Sequence, residues 1–443
     1  MISINKPSMY NYFTENRQGE LLIYNTFTGS LGKINVGNAD TVRYWLSEKP
    51  EIVDESLTDL YIKMVKLGFL VPEEQDEAIK MSLINRDSNS MDLIILPTEQ
   101  CNYRCVYCYE SFQRGKMSLE TQNALIKYVR KNIHYFNKLR VSWFGGEPLI
   151  AMDVIKNLSQ VFMDICKKQR RFYFSDMTTN GYLLSLPVFK TLLNFNVLNY
   201  QITIDGTRET HNRQKPLAGG GETFDRVINN LLSIKQEIKT GRFSIIIRTN
   251  ITKEIFDNIK EYLDFVNNVF GDDERFRFFF RPAGDLGGEL TDNIRENFID
   301  TRGISDMMEF LINSEEMLNT NYQSFLSIGG SACYAGKKNS IVIDSEGNLR
   351  KCTCHLEDMD NNKIGTLIPS GDFDIDKYKH AQWLTGCIDN PQCSNCFFLP
   401  ACQRYACPAK VVYGTAGSCP YEKEYLDVTL RLLDKNTPFA LVG

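Results

Sequence analysis

No apolar run in the 443 residues is long enough to span a bilayer, and the chain opens without a signal peptide. A membrane protein or a secreted one is therefore not expected, and a cytoplasmic location is. No sign of charge dominates. The formal net charge is -5, which speaks against a broad nucleic-acid-binding face. Histidine is scarce, and His134, His211, His355 and His380 show no metal-ligand spacing, so none is assigned as a catalyst. The run Gly219-Gly220-Gly221 lacks the Lys-Ser/Thr of a phosphate loop and reads as a flexible loop. Cysteine is plentiful. Thirteen cysteines in a chain of this character are not a disulfide framework; they read as metal or cluster ligands. Cys166 stands apart in a helical stretch and reads as a buried thiol.

Three cysteines, Cys101, Cys105 and Cys108, follow the apolar run Leu93-Ile94-Ile95-Leu96 with C-x3-C-x2-C spacing. Three thiolates on one loop can hold three irons of a cubic 4Fe-4S cluster and leave the fourth without a protein ligand. An open iron is a place for chemistry, whereas four-cysteine clusters mainly carry electrons. The spacing is not that of a ferredoxin, nor of a zinc ribbon with its two C-x2-C pairs.

These residues resemble the radical S-adenosylmethionine (SAM) superfamily. Tyr107 fills the aromatic position before the third cysteine. Gly145-Gly146-Glu147-Pro148 resembles the family's GGEP motif, which binds the SAM amino group. The resemblance implies that SAM binds the open iron and is cleaved to a 5'-deoxyadenosyl radical. It also implies that the protein orients the cofactor and excludes water.

Length suggests two or three domains. Residues 1–75 read as a small module of β-β-α-α-β order, compatible with a winged-helix-like fold, and 76–90 as a charged linker. From 91 to 300 strands and helices alternate. The strands are Leu93–Leu96, Arg140–Phe144, Tyr173–Met177, Asn199–Ile204, Ser244–Arg248 and Arg277–Phe280. Six βα units predict an α/β fold with parallel strands, a partial (β/α)6 barrel rather than a closed one of eight. Chemistry gathers at the C-terminal strand ends of such barrels. Those ends carry Cys101, then Gly145-Gly146-Glu147, then Thr179 and Asn180, then Thr203 and Asp205, then Arg248 and Asn250, then Arg281. Together with Tyr107 they are candidate SAM contacts. Taken singly, Thr203, Asp205 and Arg248 suit strand-end caps equally well, and Asn250 and Arg281 suit them better.

Residues 301–443 hold nine cysteines. Thirteen residues separate Cys333 from Gly347 and four more precede Cys352; the run Cys393-x2-Cys396-x5-Cys402-x4-Cys407 follows, then Cys419. The pattern resembles the SPASM domain, a C-terminal extension that holds two auxiliary 4Fe-4S clusters. By that resemblance Cys393, Cys396, Cys402 and Cys419 ligate the outer cluster. Cys333, Cys352 and Cys407 ligate the inner one, with Cys354 or Cys387 as a fourth ligand, or with that iron open to a substrate thiolate. The sixth cysteine is spaced by four residues where the family has three. One or two structural zinc sites are the alternative for this region.

SPASM-bearing radical SAM proteins mostly modify peptides. The sulfatase-maturing branch carries an Asp after the cysteine matching Cys352; here that residue is Thr353, and about 100 residues precede the cluster loop. The N-terminal module resembles peptide-recognition elements that bind a leader peptide as an added strand. The expectation is a SAM-cleaving peptide maturase with three 4Fe-4S clusters. Its partners are a leader-bearing precursor peptide and an external reductant such as flavodoxin or ferredoxin, without nucleic acid or membrane. It would install an intramolecular crosslink, first a cysteine thioether and second a carbon–carbon bond. Sulfatase maturation is a further alternative, and a non-catalytic iron–sulfur electron-transfer or binding protein is the alternative of a different class. Tyr109 and Glu110 lie just past the cluster loop, without a fixed role.

Overall fold

The structure, a computed structural model, describes residues 5–49, 53–84, 89–284, 295–314, 318–386, 390–414, 419–436 and 439. Cys387 lies outside them. In the middle of the chain six strands pair in parallel and in sequential order. Preceded by five N-terminal strands, they are β6 (Ser90–Ile95), β7 (Lys138–Trp143), β8 (Phe172–Thr179), β9 (Val197–Thr203), β10 (Ser244–Ile251) and β11 (Phe276–Pro282). Strands buried on both faces read as near-continuous apolar runs, as in Leu93-Ile94-Ile95 and Phe278-Phe279-Phe280. Helices lie between the strands. The helix Met152–Lys168 buries Val154, Ile155, Leu158, Phe162 and Ile165, one apolar stripe at helical spacing. Trp143 lies in the same core and is fully buried.

The sheet continues past the partial barrel. Strand β12 (Ser340–Ile343) pairs in parallel with β6, setting Ile341 opposite Leu93. Strands β13 (Asn348–Arg350), β14 (Lys363–Leu367) and β15 (Phe373–Ile375) extend it antiparallel. The turn between β12 and β13 explains the glycine in the cysteine spacing. Gly347 has φ +86°, and Asp344 Oδ1 accepts from the Glu346 and Asn348 amides at 3.1 and 2.8 Å. Asp344 also pairs with Arg350 at 3.0 Å, both side chains fully buried.

The N-terminal strands are β1 (Lys6–Pro7), β2 (Asn11–Glu15), β3 (Leu21–Asn25), β4 (Leu31–Ile34) and β5 (Leu70–Val71). β2, β3 and β4 form an antiparallel sheet, and β1 pairs with β5. Strand β3 alternates with period two. Leu21 and Ile23 face the helices Val36–Ser47 and Thr58–Lys66, whereas Leu22 and Tyr24 pack on Phe398, Ala401, Leu426 and Leu430. The module therefore rests on the C-terminal cysteine region.

Two readings need correction. The β-β-α-α-β order missed β1 and β2, because the β-prone run Tyr12-Phe13-Thr14 is short and flanked by Asn11 and Glu15. The segment 76–90 holds a helix, Glu77–Ser82, where a linker was expected. Its buried Glu77 accepts from Ser8 Oγ at 2.6 Å and from the Met9 amide at 2.8 Å.

Removing one member of a buried ion pair leaves an uncompensated charge and costs about 3–5 kcal/mol. Asp344→Ala should lower the thermal midpoint, and Asp344→Ala/Arg350→Met should recover much of the loss. A single variant as stable as the parent protein would contradict this.

Candidate active site

Two loops meet at the C-terminal ends of β6 and β7. Gly145 has φ +120°, and a Cβ there would stand 2.2 Å from Thr98 O; one on Gly146 would stand 2.5 Å from Gln100 O. Only glycine allows that backbone approach. The Glu147 amide then donates to Gln100 O at 2.9 Å. On the other side the loop bonds to a segment after β9: Arg104 N to Pro216 O, Val106 N to Gln214 O, and Ala218 N to Asn102 O, at 2.8–3.0 Å. The loop bearing Cys101, Cys105 and Cys108 is thus fixed through backbone from both sides.

Glu147 is fully buried. It accepts from Thr179 Oγ1 at 2.8 Å, the Asn180 amide at 2.8 Å and the Leu149 amide at 3.0 Å. Burial pushes its carboxyl up to about 7, against the pull of those donors. Asn180 Nδ2 donates to Asn102 Oδ1 at 2.8 Å and lies 4.0 Å from Cys101 Sγ. The ends of β7 and β8 therefore converge on the first cysteine.

A second network joins the ends of β9 and β10 to the other cysteines. Tyr107 OH donates to Asp205 Oδ2, and Asn250 Nδ2 and Lys215 Nζ each donate to Tyr107 OH at 3.1 Å. Asp205 Oδ1 accepts from the Asn250 amide at 2.8 Å. Lys215 lies 3.9 Å from Asp205 and 3.7 Å from Cys105 Sγ. Burial alone would lower the Lys215 pKa, but Cys105, Tyr107 and Asp205 hold it well above the ordinary range. Arg248 Nε donates to Asn250 Oδ1 at 3.0 Å. Burial, and then Arg281, push the Arg248 pKa down. His211 Nδ1 accepts from the Asp205 amide at 3.2 Å, so Nε2 carries the proton in a neutral ring that burial holds neutral.

The sequence reading missed Lys215 and His211. Lys215 caps the helix Arg208–Gln214, twelve residues past the end of β9, and no strand-end rule points to it. Thr203 ends β9 in register with Arg248, but its hydroxyl is not part of either network. Arg281 turns away to Glu422 at 2.5 Å and stacks on Phe279 and Phe325.

The cysteine loop suits an iron–sulfur cluster. Burial raises the Cys101, Cys105 and Cys108 pKa values, the last to about 12, so these thiols need a positive charge to ionise. Asn102 Nδ2 and Glu110 Oε2 are buried beside them without hydrogen-bond partners. Among the described residues no three His, Cys, Asp or Glu side chains surround a single ion position. A cubic cluster does not require that, because each thiolate holds a different iron.

The C-terminal region closes over the barrel mouth. Ser111 and Arg114, just past the loop, bond to Glu357, and Arg114 also reaches Leu356 O and Glu99. Cys354 faces Tyr109 and Arg248; its contact with Cys352 shifts its own pKa down and raises that of Cys352. Burial pushes Cys333 up to about 11, with Cys407 and Cys354 as neighbouring thiols. Cys393, Cys396, Cys402 and Cys419 line one separate cavity together with Arg404 and Lys423.

Gly145→Ala must displace backbone rather than a flexible side chain and should cost about 1–3 kcal/mol. Its thermal midpoint should fall and the reconstituted protein should lose about four irons, one cluster, per chain. Full iron content at an unchanged midpoint would contradict the close approach.

Comparison with known proteins agrees with this geometry. Over 249 residues, 55% of this chain and 70% of the relative, the sequence is 26% identical to GTP 3',8-cyclase of Petrotoga mobilis. Over 358 residues, 71% and 87% of the two chains, it is 22% identical to a cysteine-type anaerobic sulfatase-maturating enzyme of Clostridium novyi. The fold is similar, at TM-score 0.56 and 17% identity, to native anSMEcpe with bound AdoMet and Cp18Cys peptide, over 79% of this chain and 97% of that one. Residues 95–266 match the radical SAM superfamily. That segment is a radical SAM domain, and the protein is an enzyme that uses SAM and a 4Fe-4S cluster.

Proposed function

We propose that the protein is a peptide maturase that installs an intramolecular crosslink in a ribosomally made precursor. The observation that carries this reading is the closure of the cysteine-rich region over the barrel mouth, where Ser111 and Arg114 bond to Glu357 and Arg114 to Leu356 O. A peptide bound at this mouth would lie within reach of both the SAM loop and a second thiol set. When bound, the cluster and SAM supply a 5'-deoxyadenosyl radical that abstracts hydrogen.

The chain's own residues have these proposed roles. Cys101, Cys105 and Cys108 hold the first cluster. Gly145, Gly146, Glu147, Thr179 and Asn180 shape one wall of the SAM site, and Tyr107, Asp205 and Arg248 the other, with Thr203 at its edge. Cys393, Cys396, Cys402 and Cys419 hold the outer cluster; sharing one cavity supports this. Cys333, Cys352 and Cys407 hold the inner one, with Cys354 adjacent. Residues 1–75 receive the leader peptide, 91–300 carry the radical chemistry, and 301–443 carry the auxiliary clusters. Loss of one hydrogen atom and then one electron and one proton from the peptide gives a crosslink, and the auxiliary clusters accept the electron. A cysteine thioether is the first bond type and a carbon–carbon bond the second.

Sulfatase maturation is supported by the relative's name and by the anSMEcpe fold. Against it, the position after Cys352 is Thr353, whose hydroxyl is bonded to Tyr334 OH at 2.8 Å. No carboxylate stands there to act as a base.

Anaerobic incubation with SAM, dithionite and a leader-bearing, cysteine-containing precursor peptide should yield 5'-deoxyadenosine and a peptide lighter by two hydrogens, with one cysteine no longer alkylated by iodoacetamide. Formylglycine in a sulfatase peptide would overturn the crosslink reading. No 5'-deoxyadenosine would overturn catalysis altogether.

A further inference from the structure

The cavity lined by Cys393, Cys396, Cys402 and Cys419 also holds a lysine that neither the SAM site nor the crosslink reading uses. Lys423 lies four residues after Cys419 in the short helix Tyr421–Glu424. Its Nζ donates to Cys419 Sγ at 3.6 Å, and Cys396 is its other sulfur neighbour. Its position is fixed. The ammonium lies 5.6 Å over the Phe397 ring, and that ring stacks on Tyr12 of the N-terminal sheet at 4.9 Å. Thr26 of the same module bonds to Phe397 O. Of the two flanking acids, Glu422 does not neutralise Lys423, because it is buried and pairs with Arg281 at 2.5 Å.

We propose that Lys423 is a positioning residue that raises the reduction potential of the outer auxiliary cluster. This rests on the reading of the four cysteines as cluster ligands. A cluster held by four thiolates is negative, and reduction adds one more negative charge. A fixed ammonium touching two of the sulfurs favours the reduced form, and charge and hydrogen bonds at the sulfurs are the protein's means of setting such potentials. The N-terminal module contributes by holding Phe397, the surface on which Lys423 is seated.

The test is a potentiometric titration followed by electron paramagnetic resonance, on a Cys101→Ala/Cys105→Ala/Cys108→Ala background that leaves only auxiliary clusters. Lys423→Gln should move one of two midpoints to more negative potential and leave the other in place; Lys423→Arg should hold both near their original values. Should Lys423→Gln not retain its iron, Lys423→Met, which keeps the stem over Phe397, decides the case. Two unchanged midpoints, or an upward shift, would overturn the role of Lys423. An iron content showing no outer cluster in the background protein would overturn the ligand reading instead.

Discussion

Backbone contact between two loops is the constraint on which the site depends. The residues after β7 come so close to those after β6 that Gly145 and Gly146 admit no side chain. That contact places Glu147 where three donors meet it and brings Asn180 beside Cys101. From the opposite side, the segment 214–218 bonds to the same loop and delivers Lys215 to Cys105. The cysteine loop has almost no secondary structure of its own. Its shape is set by neighbours on both flanks, as preorganised chemistry requires.

Electrostatics divides the site into two halves. Near Cys101 the buried charge is the carboxyl of Glu147, surrounded by neutral donors. Near Cys105 it is the Lys215–Asp205 pair, spanned by Tyr107 and Asn250. Arg248 connects the second half to the roof, where Tyr109 and Cys354 face it. The barrel and the cysteine-rich region thus share one polar interior. Asp344 and Arg350 secure that junction from the core side, with Arg114 linking Glu99 to Glu357 across it.

Much of this was readable in the residues. The six barrel strands announce themselves as apolar runs, and the cysteine spacing and Gly145-Gly146-Glu147 locate the first two loops. Gly347 was recognisable as a fixed element of the cysteine pattern, and its positive φ in the β12–β13 turn supplies the reason. Other features left no local signal. Asn11–Glu15 has only three β-prone residues, and its pairing with β3 completes it as a strand. Lys215 becomes important only when the loop folds back onto Cys105. Arg281 looked like another rim cation, yet its pairing with Glu422 depends on a contact 141 residues away in sequence. Tertiary pairing decided each of these.

We propose that this chain holds one SAM-binding cluster and two auxiliary ones. The most direct test is iron and sulfide content after anaerobic reconstitution, comparing the parent protein with Cys101→Ala/Cys105→Ala/Cys108→Ala. Three clusters predict about twelve irons falling to about eight. About four irons falling to none, with zinc in the C-terminal region, would contradict the account and remove the auxiliary clusters from it.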